Sequence, residues 1–198
     1  EILFAGENYD RDHARYLYLS FLASVFPWSF DQPDRIDDRK SQLSTGDRTL
    51  RIITASEEHI SQVARLFDLY RQFYAQPANP ALAKRFIGNN VRKQRSIILL
   101  AVDNQGAALG FTQLYPGWCS VAAAPLITLY DLYVDEQARK RGVARALMAA
   151  AEKSARKAKA CRIDLETAVN NHRAQALYEH LGYTKELEFY KYSLELDT

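Results

Sequence analysis

Two rhythms of apolar residues run along this chain. Ile60, Val63, Ala64, Phe67, Tyr70 and Tyr74 recur at helical spacing and predict an amphipathic helix that ends near Tyr74. Ser56, followed by Glu57 and Glu58, marks its start, a hydroxyl cap with acids near the positive end of the helix dipole. Pro77 and Pro80 break the pattern, and residues 81–90 form a second, shorter helix with Gly88-Asn89-Asn90 at its end. The rhythm then shortens. Leu50-Arg51-Ile52-Ile53 is a short strand, and Ser96 to Val102 is a continuous apolar run that suits a strand covered on both faces. Asp103 to Gly106 is a hairpin turn, residues 107–115 are the returning strand, Pro116 to Ser120 are a loop, and Leu126 to Val134 are a third long strand. These make an antiparallel meander.

Helical spacing returns at Val143, Ala144, Leu147, Met148 and Ala151, predicting a helix over 142–158. Residues 161–167 follow as a strand, and a strand, a helix and a strand imply a crossover that sets 161–167 parallel beside 126–134. Asn171 to Leu181 are a short helix closed by Gly182, and Tyr183-Thr184 with Phe189 to Leu196 complete the sheet. The fold class is α+β, or mixed α/β. Before Thr49 the character differs. Residues 9–26 are aromatic-rich and predict a helix that packs on the main domain or on another subunit, in preference to a targeting segment; residues 27–48 read as a linker. The division is therefore 1–48, an N-terminal helical extension and linker, and 49–198, the main domain.

Composition narrows the function. The 198 residues carry 26 basic and 24 acidic side chains, a net charge of +2, which argues against whole-surface binding of nucleic acid. The charge is uneven: residues 1–48 hold nine acids and six bases, and much of the positive excess lies between Arg139 and Arg162. Cys119 and Cys161 lack CxxC spacing and the four histidines are scattered, so no metal is assigned and a reducing, cytoplasmic compartment is expected. The apolar runs are too short to span a bilayer comfortably, and no membrane partner is expected.

The chemistry concentrates where the third strand runs through a basic loop into a helix. Arg139-Lys140-Arg141-Gly142 precedes the helix start at Val143. The first helical turn offers amides without intrahelical partners, the missing side chain at Gly142 lets an anion approach, and Arg and Lys add charge. Arg139-Lys140-Arg141-Gly142-Val143-Ala144 fits R/Q-x-x-G-x-G/A, and about thirty residues later Asn171-His172-Arg173-Ala174-Gln175-Ala176-Leu177-Tyr178-Glu179-His180-Leu181-Gly182-Tyr183 resembles N-x-x-A-x-x-L-Y-E-x-x-G-F/Y. Together, in this order of elements, they resemble the GNAT superfamily of acetyl-CoA-dependent N-acetyltransferases over roughly residues 50–196.

The resemblance implies a GNAT-like fold: a central, twisted, mixed but mostly antiparallel sheet flanked by helices, here with an extra N-terminal helical arm. It implies acetyl-CoA as cofactor, with the pyrophosphate at Arg139, Lys140, Arg141, Gly142, Val143 and Ala144 and the pantetheine arm along Leu132, Tyr133 and Val134. Asn171 and Ala174 belong to the same cofactor set, and Tyr178 matches the tyrosine that protonates the departing thiolate. Backbone amides around Leu132 to Val134 would stabilise the oxyanion. Asp131 is the candidate base and Glu166 the runner-up; many relatives place a glutamate where this chain has Tyr130, so a water chain stays open as the proton acceptor. Tyr115, Trp118, Tyr130 and Glu166 are candidates for the acceptor pocket, with core and rim packing as the other reading of the aromatics. Tyr115 to Val121 before Leu129 to Val134 is similar to a branch linked to histone or polyamine acetylation. The expected enzyme is a homodimeric acyltransferase acting on a small-molecule amine: polyamine-like, aminoglycoside or amino acid. A GNAT-fold sensor or scaffold that binds acyl-CoA without efficient turnover, and a protein or peptide N-acetyltransferase, are the alternatives.

Overall fold

The computed structural model describes residues 50–196, which fall into two compact units divided after Leu165. The expected helix at 9–26 and the linker at 27–48 lie outside the described residues.

In the first unit a five-stranded sheet runs in sequence order: β1 (Arg51–Thr54), β2 (Ile97–Val102), β3 (Ala108–Cys119), β4 (Ala124–Val134) and β5 (Ile163–Leu165). β1 to β4 are antiparallel neighbours, and β5 joins β4 in parallel. The predicted crossover is α3 (Val143–Lys157). α1 (Ile60–Phe73) and α2 (Pro80–Arg92) pack against one face, where Val63, Leu66, Phe67, Ala83 and Ile87 meet Ile98, Leu100, Val102, Phe111 and Tyr133. Leu99 and Ala101, the alternate positions of β2, are buried too. Both faces of β2 are thus covered, and its run of apolar residues needs no alternation.

Within the first unit the structure departs from the expectations at β3 and at α2. Pro116 to Cys119 are not a loop: β3 continues to Cys119, with Pro116 opposite Ile127 and Cys119 opposite Ala124, and the turn shrinks to residues 120–123. β2 pairs with β3 only as far as Leu114, so Pro116 lies where one edge of β3 has no ladder to supply. The second helix does not stop at Gly88-Asn89-Asn90; α2 runs to Arg92, with Gly88 and Asn90 both buried inside it. Tertiary burial of Asn90 against β3 outweighs its poor helix propensity.

Capping is local and legible. His59 Nδ1 accepts the Ser56 N–H at 3.2 Å, Asn79 Oδ1 caps Leu82 N–H at 3.0 Å, and buried Asp68 accepts Asn79 N–H at 2.8 Å, fixing the α1–α2 connection. Asp103 closes the hairpin by accepting Gln105 and Ala107 N–H, each at 2.9 Å.

The second unit contains α4 (His172–His180). Asn171 Oδ1 caps it by accepting Ala174 N–H at 3.3 Å, and Gly182 ends it with φ +87°. The expected strands at Tyr183-Thr184 and Phe189 to Leu196 are not formed, so the sheet is not completed there. Their alternation is strand-like, but a strand needs a ladder partner, and residues 166–196 contain no other strand. Among the described residues no helix is long and apolar enough to cross a membrane, and no group of three or more His, Cys, Asp or Glu side chains is placed to hold a metal ion.

Candidate active site

β3 and β4 pair along their whole length with one irregularity, a register shift between Gln113 and Leu114 opposite Tyr130. Asp131 pairs with Gln113 and Leu129 with Leu114, so Tyr130 is the extra residue of a β-bulge. On its other edge β4 pairs with β5 only from Ile127 to Leu129. Beyond the bulge, residues 130–134 leave that edge open among the described residues of this unit. Gly110 secures the far end: a Cβ there would lie 2.7 Å from the Tyr133 carbonyl oxygen, a separation real side chains do not tolerate.

The bulge aims Asp131 under α1 and α2. Asp131 is 3% exposed. Gln113 Nε2 donates to Asp131 Oδ2 at 2.6 Å. The Gln113 amide is fixed from behind, because its Oε1 accepts Asn90 Nδ2 at 3.1 Å and Ser96 Oγ at 2.9 Å. With the oxygen committed to two donors, only the amide nitrogen can face the acid. Asn90 Nδ2 also donates to the Tyr115 hydroxyl at 3.0 Å. The Tyr70 hydroxyl hydrogen-bonds Asp131 and lies 3.5 Å from the Tyr130 carbonyl oxygen. It has one proton, and the charge-assisted bond to the carboxylate is the stronger of the two.

Every partner of Asp131 is neutral. Burial pushes its pKa up to about 6, against the downward pull of the Gln113 and Tyr70 hydrogen bonds. The phenols respond in kind: burial and then the Asp131 charge raise Tyr70 far above the ordinary phenol value and push Tyr115 up to about 12. Both stay protonated donors near neutral pH. A carboxylate with this pKa is ionised at pH 7 yet basic enough to take a proton.

Aromatic rings ring this acid. Tyr74 stacks edge-on to Tyr70 at 5.1 Å and to Phe73 at 5.2 Å, and Tyr115 meets Tyr130 at 5.8 Å. Phe73, Tyr74 and Tyr130 are exposed. Tyr115 and Tyr130, two of the expected acceptor residues, thus meet beside Asp131. Trp118 does not join them: it lies three residues further along β3, and strand alternation points it to the opposite face from Tyr115. Tyr133 is a core side chain, packed 6.4 Å from Tyr70, so its backbone alone borders the open edge.

The expected anion loop follows β4 directly. Asp135 Oδ1 accepts Gln137 N–H at 3.2 Å and opens the short turn Glu136–Ala138. Lys140 and Gly142 then take left-handed conformations, φ +61° and +79°. The first helical bond of α3 is Ala146 N–H to Gly142 C=O at 3.0 Å, so the amides of Val143, Ala144 and Arg145 precede it at the helix mouth. Left-handed residues beside a helix mouth form a concavity of N–H groups suited to an anion. Lys140 and Arg141 are exposed there. Arg139 is otherwise engaged: its guanidinium donates to the Val134 carbonyl at 3.3 Å and pairs with Glu136 at 3.1 Å, bracing the loop.

In the second unit, Asn171 Nδ2 donates to Thr167 Oγ1 at 3.2 Å while its oxygen caps α4 over Ala174. Tyr178 packs 6.0 Å from Tyr183, and Glu166 is ion-paired with Lys191.

Tyr70, Asn90, Ser96 and Gln113 were not among the sequence candidates. Tyr70 reads as a core position of α1, and the other three belong to no motif. The available signal was Gln113, a polar residue between Phe111 and Tyr115 on an inward-facing register.

A model of the acetyltransferase (GNAT) family matches residues 63–183. An uncharacterized N-acetyltransferase of Bacillus subtilis (strain 168), YhfO, is 35% identical over 147 residues, 74% of this chain and 98% of that protein. The crystal structure of a probable acetyltransferase superposes with a TM-score of 0.71 at 36% identity, covering 75% of this chain and 99% of that one. The aminoglycoside N-acetyltransferase AAC(6')-Iy in complex with CoA shares the fold, with a TM-score of 0.64 at 18% identity over 78% of this chain and 100% of that one. The chain belongs to the GNAT acetyltransferase family, whose members are acetyl-CoA-dependent, and is an acyltransferase.

Proposed function

We propose that the protein moves the acetyl group of acetyl-CoA to the primary amine of a small molecule by direct attack, with Asp131 as the base. One observation carries this reading: Asp131, 3% exposed, sits beside the β4 bulge and among the described residues is held by neutral donors. An amine is an ammonium ion at neutral pH and must lose a proton to attack. Asp131 takes that proton, directly or through one water, and Tyr70 and Gln113 hold the acid in place. The amides of the open edge at Leu132 to Val134 stabilise the oxyanion and pair with the pantetheine arm.

The pyrophosphate rests on the amides from Arg141 to Ala144, with Lys140 and Arg141 supplying charge, while Arg139 supports the loop from behind. The α4 signature assigns Asn171 and Ala174 to the cofactor and Tyr178 to protonation of the leaving thiolate; Glu166, which the expected strand 161–167 included but which lies just past the end of β5 and pairs with Lys191, is the runner-up acid. On the acceptor side, rings outnumber acids. Among the described residues of the first unit, Tyr70, Tyr74, Tyr115 and Tyr130 stand around the carboxylate of Asp131, which favours an amine with one positive charge near an apolar body over a polyamine, whose several charges need several acids. The free cysteines fit a cytoplasmic enzyme, and the homodimer implied by the resemblance is checked by light scattering.

The test is release of CoA thiol with a panel of amines. Transfer to monoamines with apolar bodies is expected, with a loss of about 10²- to 10⁴-fold in kcat/KM on Asp131→Asn. The second reading, acyl-CoA binding without efficient turnover, draws on the same burial: an acid sealed from solvent is also hard for an acceptor to reach. Tight CoA binding with no turnover on any amine would select it.

A further inference from the structure

The hydrogen bonds behind Asp131 do more than hold the acid: they form a chain of fixed polarity that ends at Tyr115. Gln113 turns its amide nitrogen to the Asp131 carboxylate at 2.6 Å, so its oxygen faces away. That oxygen accepts from Ser96 Oγ at 2.9 Å and from Asn90 Nδ2 at 3.1 Å. Asn90 therefore presents its amino group here, and the same group donates to the Tyr115 hydroxyl oxygen at 3.0 Å. A phenol has one proton to give, and with the oxygen accepting from Asn90 that proton is left to another partner. Among the described residues nothing accepts it. The Tyr115 ring is half-buried and stands 5.8 Å from exposed Tyr130, the extra residue of the bulge, so the unused donor lies beside the acceptor pocket.

A cation stands at the same place. α2 ends at Arg92, Gln94 takes a left-handed conformation with φ +49°, and Arg95 N–H returns to the Asn90 carbonyl at 3.0 Å. Arg95 is thereby pinned to Asn90 and directly precedes Ser96, the two donors to the Gln113 oxygen. Its side chain is exposed and forms no ion pair among the described residues. Tyr115 feels one charge of each sign: Asp131 adds to the rise of its pKa, and Arg95 offsets part of it. We propose that Tyr115 and Arg95 form a carboxylate subsite, so that the amine brought to Asp131 belongs to an amino acid with an apolar side chain. The proposal rests on the acetyl-transfer reading above and names its acceptor. Asp131 meets the ammonium, the Arg95 guanidinium and the Tyr115 hydroxyl donate to the carboxylate, and the rings of Tyr74 and Tyr130 take the apolar side chain. The two charges of such a zwitterion match the two of the pocket. A simple arylalkylamine would leave the Arg95 charge and the Tyr115 proton without a partner.

Matched probes on the full chain test this: phenylalanine, phenylalaninamide and phenethylamine, with β-phenylalanine as a second spacing of amine and carboxylate. Binding is measured by calorimetry on the protein saturated with CoA, and turnover by release of CoA thiol from acetyl-CoA. One of the two amino acids is expected to bind and react roughly ten- to a hundredfold better than phenethylamine and the amide. Tyr115→Phe and Arg95→Gln should each cut that preference about tenfold, by raising KM for the amino acid more than for phenethylamine. Phenethylamine used as well as either amino acid, or a preference that both variants keep, would overturn the subsite while leaving acetyl transfer standing. Equal use of the amide would also overturn it, in favour of a neutral carbonyl. If no probe turns over, the transfer reading fails, and the binding preference alone decides the subsite.

Discussion

The two ends of the β3–β4 ribbon each bury one acidic group, and they shift it in opposite directions. At the inner end Asp131 is surrounded by the neutral donors Gln113 and Tyr70, and desolvation pushes its pKa up to about 6. At the outer end the Ala122 backbone hydrogen-bonds Cys119, the Arg162 guanidinium adds a donor 3.2 Å away, and its pKa falls. Hydrogen bonds lower an acid's pKa in both places. What separates them is the balance against burial: at Asp131 desolvation exceeds two neutral hydrogen bonds, and at Cys119 the Ala122 backbone bond and the Arg162 guanidinium together exceed it. The same ribbon can therefore carry a proton acceptor at one end and a thiolate at the other.

Replacing the donor behind the acid should break the contrast most severely. Gln113→Leu leaves Asp131, Asn90 and Ser96 short of a partner in a closed space, and a loss of about 3 kcal/mol in chemical denaturation is expected. The same change removes a bond that lowers the Asp131 pKa, so any residual acetyl transfer should need a higher pH. Gly110→Ala acts on the inner end only. Its methyl meets the Tyr133 carbonyl, and a cost of about 2 kcal/mol is expected, with reduced transfer but unchanged alkylation of Cys119. Tyr70→Phe deletes one hydrogen bond to Asp131, so kcat/KM should fall roughly tenfold and its acid limb should move to higher pH, with little change in stability. Arg162→Gln sharpens the contrast from the other side: the pH midpoint of Cys119 alkylation by iodoacetamide rises, and acetyl transfer is unaffected.

Linkage gives a further check on the sign. The folded-state pKa of Asp131 lies above its unfolded value of 3.8, so its stabilising contribution is complete below 3.8 and is lost as pH rises through about 6. The shift corresponds to about 3 kcal/mol. Between pH 4 and 7 the wild type should lose stability from this source, and Asp131→Asn should not show that loss.

Much of this arrangement was legible before any coordinates. Gly142 before Val143, Gly182 after the α4 stripe, and the turn at Asp103 are backbone signals that act within a few residues. The parallel crossover followed from strand, helix and strand in order. What could not be read is what depends on partners far along the chain. Pro116 to Cys119 look like a loop until Ala124 to Ile127 are seen opposite them, and Gly88 to Asn90 look like a helix end until Asn90 is seen bonded to Gln113. Residues 189–196 fail the other way, with a strand-like pattern but no strand in their own unit to pair with. Asp131 was legible as a candidate, but its pKa was not, because that depends on Tyr70 of α1 and on Gln113 of β3, itself held by Asn90 of α2 and by Ser96, meeting at the acid. The contact of Arg162 with Cys119 Sγ was hidden for the same reason.

The most direct test is the pH dependence of kcat/KM for transfer from acetyl-CoA to a reactive monoamine, in the wild type and in Asp131→Asn. The wild-type profile should rise with pH and bend near 6, where Asp131 loses its proton, and the residual activity of the variant should lack that bend. A bend near 6 that persists in Asp131→Asn, or wild-type activity in the variant, would contradict the assignment of Asp131 as the base.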